Sequence, residues 1–525
     1  MSVMNEVDPS HGDFNPEEAH REGAFSYHLW TASAVVLRQI GLIEKPLPEI
    51  KAYDGDYRHL LLACRAVVVL SDLFCVLLVW SIARHITGQE SAGLIAAAIL
   101  AITPYEVIHA HFMRTHNMAN AAAMLAVWLA LRLRHDQRWT AFAICGVATG
   151  VAAATRYTAV TVGVVPALIA IGARLEHRNG RTLFESVDLP SLTPKFVVLS
   201  LSTIAGFAAA DPFLFLDFRS ASSYLGVTAT YAVTDQFSLA SFLDLSKLWL
   251  YIVWLIPYGM LPLLWILIYA SFIYVLFLRR YWVYVLPLWI FSVAYLYPMA
   301  KGYLAVPGFI RAALLVFPVF AVFCGIACTS VWTSLRPHRL TRGCLAMFAA
   351  FIWCASLAYD VAYLRGMNHD PRVKLHQALE AEVAKRGPIR VTVDEGPWNY
   401  FILDPAFAGL PPNLVHVNTA SDALADSNTS DFAVLWAFEY TNYPNAEARI
   451  RNAEASGQWS AAIDLRTPVS IAGIPFSYER NPHDLVYPYP ALYLVRSNRV
   501  KSEPFGPTTN GGDPESSKTP NQKTD

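Results

Sequence analysis

Charge is what this 525-residue chain has little of: 15% of its residues are Asp, Glu, Lys or Arg, where a soluble domain carries about a quarter. With 54% hydrophobic residues and a mean hydropathy of +0.34, that scarcity excludes an ordinary water-soluble architecture. A net charge of −1 argues against nucleic acid as a partner. Cysteine is also sparse. Cys64, Cys75, Cys145, Cys324, Cys328, Cys344 and Cys354 all fall in apolar runs, and the polar C-terminal region has none. That excludes a disulfide framework and a C-x-x-C metal site. Cys324 and Cys328, one helical turn apart, read as small packing residues. The first 20 residues are polar, rich in Asp, Glu, Pro and His, and do not read as a signal peptide. No repeat at solenoid or propeller spacing is present.

What the chain does have is long apolar runs. Those at 59–84, 91–108, 117–133, 139–154, 157–173, 196–216, 248–278, 282–300, 309–333 and 343–364 reach or approach the roughly 20 residues that cross a bilayer. They predict an α-helical polytopic membrane protein of about ten spans. The seventh run holds Pro257 and Pro262 and is expected to be tilted, kinked or broken. Arg84, then Arg132, Arg134 and Arg138, then Arg174, Arg178, Arg181 and Lys195, then Arg279 and Arg280, then Arg336, Arg339 and Arg342 fall on alternate connections. By the positive-inside rule these are cytoplasmic. Both termini of this chain are then extracytoplasmic, and a bacterial inner (plasma) membrane is the expected location.

Four regions follow. Residues 1–58 read as an extracytoplasmic loop with an interfacial amphipathic helix over Phe25–Ile43, stopped near Gly41. Residues 59–366 form the membrane bundle. Residues 367–500 read as a small extracytoplasmic α/β domain, with strands near Ile389–Val393, Phe432–Trp436 and Leu492–Val495 and a helix near Leu375–Lys385. Residues 501–525, rich in Pro, Gly, Ser, Thr and Lys, read as disordered.

Between the second and third runs lies a polar island, Pro104 to Asn117, carrying Glu106, His109, His111, Arg114 and His116. Ionisable groups at membrane depth are costly and mark candidate sites. Arg156 sits in a connection so short that it hugs the membrane, while Lys301 and Arg311 flank the start of the ninth run. Arginines at headgroup level favour phosphate or carboxylate, so Arg156 and Arg311 together suggest a lipid-phosphate site. Asp72, seven residues after Arg65 and on the same helical face, reads as a polar residue satisfied inside the bundle. The His109-x-His111 spacing is a weak metal signal without further ligands, and no metal or other cofactor is expected.

At these residues the chain resembles the integral-membrane GT-C glycosyltransferases of the protein O-mannosyltransferase-like and aminoarabinose transferase-like group. The resemblance rests on pieces in order over roughly residues 4–365. They are Met4-Asn5 with Gly12-Asp13-Phe14-Asn15-Pro16 and Tyr27-His28-Leu29, then Cys64-Arg65-Ala66-Val67 with Ala83-Arg84-His85-Ile86-Thr87-Gly88. Ala101-Ile102-Thr103-Pro104 to His111-Phe112 follows, then Gly146 through Ala154-Thr155-Arg156-Tyr157-Thr158, and Phe309-Ile310-Arg311 to Phe317-Pro318. It implies transfer of a glycosyl group from a polyprenyl-phosphate sugar to an extracytoplasmic lipid, glycan or protein, with Arg156 and Arg311 on the lipid phosphate. The group carries an Asp-Glu pair at the end of a first span, upstream of the part that matches Met4. That pair is not in this chain, so a preceding span or a catalytically inactive membrane partner is implied. His116, where the group often has a nearby aspartate, and Asp13 are the substitute catalytic candidates. A secondary transporter is the alternative class, suggested only by Asp72 and the Pro257/Pro262 segment.

Overall fold

The computed structural model describes residues 23–50, 55–176, 189–219, 222–223, 246–250, 252–253, 256–259, 262–301, 310–367, 369–395, 407, 410–411, 413–425, 427–437, 443–466, 470–471, 474–475 and 491–498. The expected disordered tail and Asp13 lie outside these residues.

Helix α1 (Phe25–Gln39) realises the amphipathic segment. Its Trp30 and Ala34 are buried with Leu60, Cys64, Val68 and Met118, so its apolar stripe is anchored on the bundle. Gly41, at φ 74°, makes the left-handed turn that stops it, a conformation glycine adopts without a Cβ clash.

The bundle begins with α2 (Gly55–Thr87), α3 (Glu90–Ala101), α4 (Pro104–Ala110), α5 (Thr115–Leu131), α6 (Trp139–Thr155), α7 (Val164–Glu176) and α8 (Leu189–Ala210). It continues with α9 (Pro262–Tyr274), α10 (Trp282–Lys301), α11 (Phe317–Ser334) and α12 (Arg339–Met367). Among the described residues six helical stretches are long and apolar enough to cross a membrane: Gly55–Thr87, Tyr157–Glu176, Pro190–Ala210, Arg279–Met299, Ala313–Ser334 and Arg339–Arg386. Helices α3 and α4 pass that test only together, with a bend of 63° between them. Pro104 opens α4, where its missing N–H costs nothing and its fixed φ suits the first helical turn. Within the 248–278 run the described α-helices are Ser246–Leu250, Ile256–Gly259 and α9, and Pro257 and Pro262 lie in the first turns of the latter two, where a missing N–H is tolerated.

Glycine decides one packing seam. A Cβ on Gly150 would sit 2.2 Å from the Thr203 carbonyl oxygen, and one on Gly206 would sit 2.5 Å from that of Val147. Helices α6 and α8 therefore touch backbone to backbone, as small residues allow in membrane bundles. This seam fixes the ends of both helices, which carry Arg156 and Asp211.

After α12 come α13 (Pro371–Arg386), β1 (Ile389–Asp394), β2 (Val415–Ala420), β3 (Phe432–Ala437) and α14 (Tyr443–Ala455). Then follow β4 (Ile463–Asp464), β5 (Ser470–Ile471), β6 (Ile474–Pro475) and β7 (Ala491–Arg496). The main sheet runs β2-β1-β3-β7-β4. In it β1 is parallel to β2 and β3, while β7 is antiparallel to β3 and β4. Leu375 and Leu379 of α13 close its core against Ile389, Val391, Val434, Leu492 and Leu494.

Candidate functional site

The α3–α4 bend turns the chain back so that α4 lies beside the first turn of α5, and this elbow carries two separate clusters. The first is acidic. Glu106 on α4 is 1% exposed. Its Oε1 accepts from Asn120 Nδ2 at 2.8 Å and its Oε2 from Asn117 Nδ2 at 3.1 Å. The Asn117 amide also donates to Asp72 Oδ1 on α2, at 3.1 Å. Asn120 reaches the Leu314 carbonyl at 3.2 Å, inside the Ile310–Val316 turn that carries Arg311. Buried polar groups must be hydrogen-bonded or they cost stability. Satisfying these ties α2, α4, α5 and that turn into one knot. His111 belongs to this side: its Nδ1 lies 2.7 Å from the Val107 carbonyl oxygen, and it faces Asp72 electrostatically.

The second cluster is cationic and centres on His116. Its ring lies 5.9 Å from that of His109, which in turn packs on Tyr105 at 4.5 Å. His116 is buried, and neither ring nitrogen has a hydrogen-bond partner among the described residues. Arg156, His109, Arg311 and Arg114 all lie within electrostatic reach of it. Arg156 follows α6 with an extended backbone, φ −157°, so the chain leaves the helix axis there. The buried Tyr295 of α10 meets its guanidinium. Nearby, Asp211 Oδ2 accepts from the Ala24 amide at 3.2 Å. Gly23, at φ 127°, lies so close to Ala154 that a Cβ would come 2.5 Å from its carbonyl oxygen. These contacts seat the start of α1 against the ends of α6 and α8.

Of the residues singled out from sequence, the structure gathers His109, Arg114, His116, Arg156 and Arg311. It assigns Glu106 and His111 to the acidic knot, where both Glu106 carboxylate oxygens are already occupied. Lys301 is the last residue of α10, with its side chain outside what is described. Arg65 and Asp72 do not pair, since seven residues of helix separate them by about 10 Å and Asp72 instead takes the Asn117 amide. Among the described residues no three His, Cys, Asp or Glu side chains are grouped to hold a metal ion. Sequence reading missed Asn120 and Tyr295. Two amides, Asn117 and Asn120, one turn apart in an otherwise apolar helix were the available signal; Tyr295 gave none.

Residues 59–190, which contain the elbow, His116 and Arg156, match the family described as dolichyl-phosphate-mannose-protein mannosyltransferase. That match makes this segment, about a quarter of the chain, similar to that family. Among solved structures, an oligosaccharyltransferase of Archaeoglobus fulgidus in complex with zinc and sulfate aligns at 13% identity and a TM-score of 0.43. That alignment covers 81% of this chain and 61% of the archaeal one, so the chain spans less than two thirds of that enzyme. ArnT from Cupriavidus metallidurans bound to undecaprenyl phosphate aligns at 14% identity and a TM-score of 0.42, over 90% of this chain and 88% of its own. Its apo state gives a TM-score of 0.40 at 14% identity, over 90% and 87%. No curated protein matches the chain.

Proposed function

We propose that the chain transfers a glycosyl group from a polyprenyl-phosphate sugar to an extracytoplasmic acceptor, a lipid, glycan or protein, with inversion at the anomeric carbon. The observation that carries this reading is the convergence of Arg156, Arg311, Arg114 and His109 on the buried His116, within and beside the segment that matches a polyprenyl-phosphate mannose transferase family. The leaving group in such a transfer is a phosphate, and cations held in place before the reaction stabilise the charge that develops on it. Arg156 and Arg311 hold that phosphate, and their planar guanidinium groups suit two of its oxygens at once. Arg114 and His109 line the headgroup side, and Lys301 is assigned to it by its place at the end of α10 alone. His116, with neither ring nitrogen bonded among the described residues, takes the acceptor proton once the anionic donor offsets the cations around it. Asp13 is the carboxylate alternative for that step. Glu106 and His111 act on substrate indirectly, by fixing the elbow.

The same reading places ten spans across the membrane, with the arginine-bearing connections cytoplasmic and the 367–500 region on the opposite face with Met1. A cytoplasm-dependent reporter fused after Ser497 should be silent; an active reporter would shift the span count by one. The chemistry is tested with purified full-length protein in lipid nanodiscs. It should bind a polyprenyl-phosphate sugar and ignore the uncharged polyprenol of the same length. Equal retention of both lipids, or of neither, contradicts the reading.

A further inference from the structure

The acidic knot holds more acceptors than its hydrogens can serve. Asn117 Nδ2 carries two hydrogens, yet it faces Asp72 Oδ1, Glu106 Oε2 and the Glu106 carbonyl at 3.1, 3.1 and 3.3 Å. Asn120 Nδ2 spends its hydrogens on Glu106 Oε1 and the Leu314 carbonyl. Asn117 Oδ1 is itself buried and has no donor. Two carboxyl groups thus meet across a single amide nitrogen at membrane depth, and among the described residues no Lys or Arg is in salt-bridge contact with either. The titratable groups that face them are His111, beyond α4, and Cys75, one turn along α2. Two like charges so close in a poorly solvated site repel strongly, and one of them is relieved by taking a proton.

We propose that Asp72 and Glu106 form a dyad that holds one proton between them across the Asn117 amide. One added O–H supplies the hydrogen that the knot lacks. The Asn117 amide can then rotate, so that Oδ1 accepts from the protonated carboxyl while Nδ2 donates to the ionised one. Which carboxyl carries the proton therefore decides which way the amide faces. Of the two carboxyl groups, Asp72 is partly exposed and Glu106 is buried. Because Asn117 follows His116 directly and Glu106 shares α4 with His109, the dyad is a positioning device for the cationic cluster. A bound monovalent cation would also neutralise the pair. A proton is favoured because the Asn117 nitrogen already occupies the space between the two carboxyl groups.

Infrared spectroscopy of the full-length protein in nanodiscs tests this at neutral pH. The native protein should show a protonated-carboxyl C=O band that is insensitive to replacing sodium by choline. The near-isosteric Asp72→Asn and Glu106→Gln variants, which keep the volume and remove the repulsion, should each abolish that band. Phe291→Leu, far from the knot in sequence and outside it, should retain it. A native protein without the band, a band that survives both substitutions, or a melting midpoint that falls on sodium removal and not on carboxyl substitution would each overturn the dyad.

Discussion

Charge is handled in opposite ways at the two ends of this molecule. In the sheet region opposite signs meet: Arg449 of α14 donates to both oxygens of Asp394, at 2.8 and 2.9 Å, and also bonds Asp422. Asp394 is further fixed by the Ala423 amide at 2.8 Å. At the elbow of the bundle like gathers with like, with arginines and histidines around His116 and two carboxyl groups around Asn117. Paired charges cancel and hold local structure. Several groups of one sign set around one side chain suit the binding of a charged substrate. The contrast is the reason the proposed site is set at the elbow and not in the sheet region.

The largest way to break the contrast is to disturb the seam that keeps the cations in place. Gly150→Leu inserts a side chain where a Cβ alone would collide with the Thr203 carbonyl. Overpacking of this kind costs about 1–3 kcal/mol or more, and donor binding should fall with it. A lowered melting midpoint in nanodiscs with reduced donor retention is the expected pair of results. Next comes Asp394→Ala, which removes two charge-assisted bonds from Arg449. Each such bond is worth about 1.5–3 kcal/mol, and the surviving Asp422 contact and the partial exposure of Arg449 hold the total near the lower figure. Unfolding of the sheet region should shift accordingly while donor binding stays unchanged. A loss of binding would show that the sheet region is part of the site.

A smaller effect concerns acid. Burial raises the Asp422 carboxyl, but hydrogen bonds from Arg449 and the Leu424 amide outweigh it and leave the group below its usual range. A carboxyl depressed in the folded state contributes stability above its unfolded pKa and loses it as pH falls through the folded one. Stability of the sheet region should therefore decline more steeply in the acid carboxylate range for the native protein than for Asp422→Asn. Smallest of all is Arg219→Ala. Arg219 is an exposed residue after α8, and its loss should leave donor binding as it was.

Much of this arrangement could be read from the chain before any coordinates. Apolar runs carried the helical membrane bundle, because crossing lipid demands them. The turn at Gly41 and the strands at 389, 432 and 492 were legible for local reasons: a left-handed residue, and short β-branched runs. Strand β2, with its mixed Val-His-Val-Asn-Thr-Ala pattern, was not, since its identity comes from pairing with β1 rather than from its own composition. The cationic cluster was half legible. Arg156 and Arg311 stood out by type and depth, but only the fold shows that they face His116. The acidic knot was the least legible part. Asp72, Glu106 and Asn120 lie on three helices, and nothing in spacing along the chain brings them together. Asp72 read from the chain as a polar residue satisfied inside the bundle, but that the Asn117 amide is what satisfies it needed the fold.

The most direct measurement is the affinity of full-length protein in nanodiscs for a polyprenyl-phosphate sugar, compared across native, Arg156→Ala, Arg311→Ala and Arg156→Lys. If both arginines hold the phosphate, each alanine substitution loses a contact of about 1.5–3 kcal/mol, which is roughly tenfold or more in affinity. Arg156→Lys should lose less, because the charge survives while the planar fork is gone. Equal affinity across all four proteins would contradict the phosphate clamp.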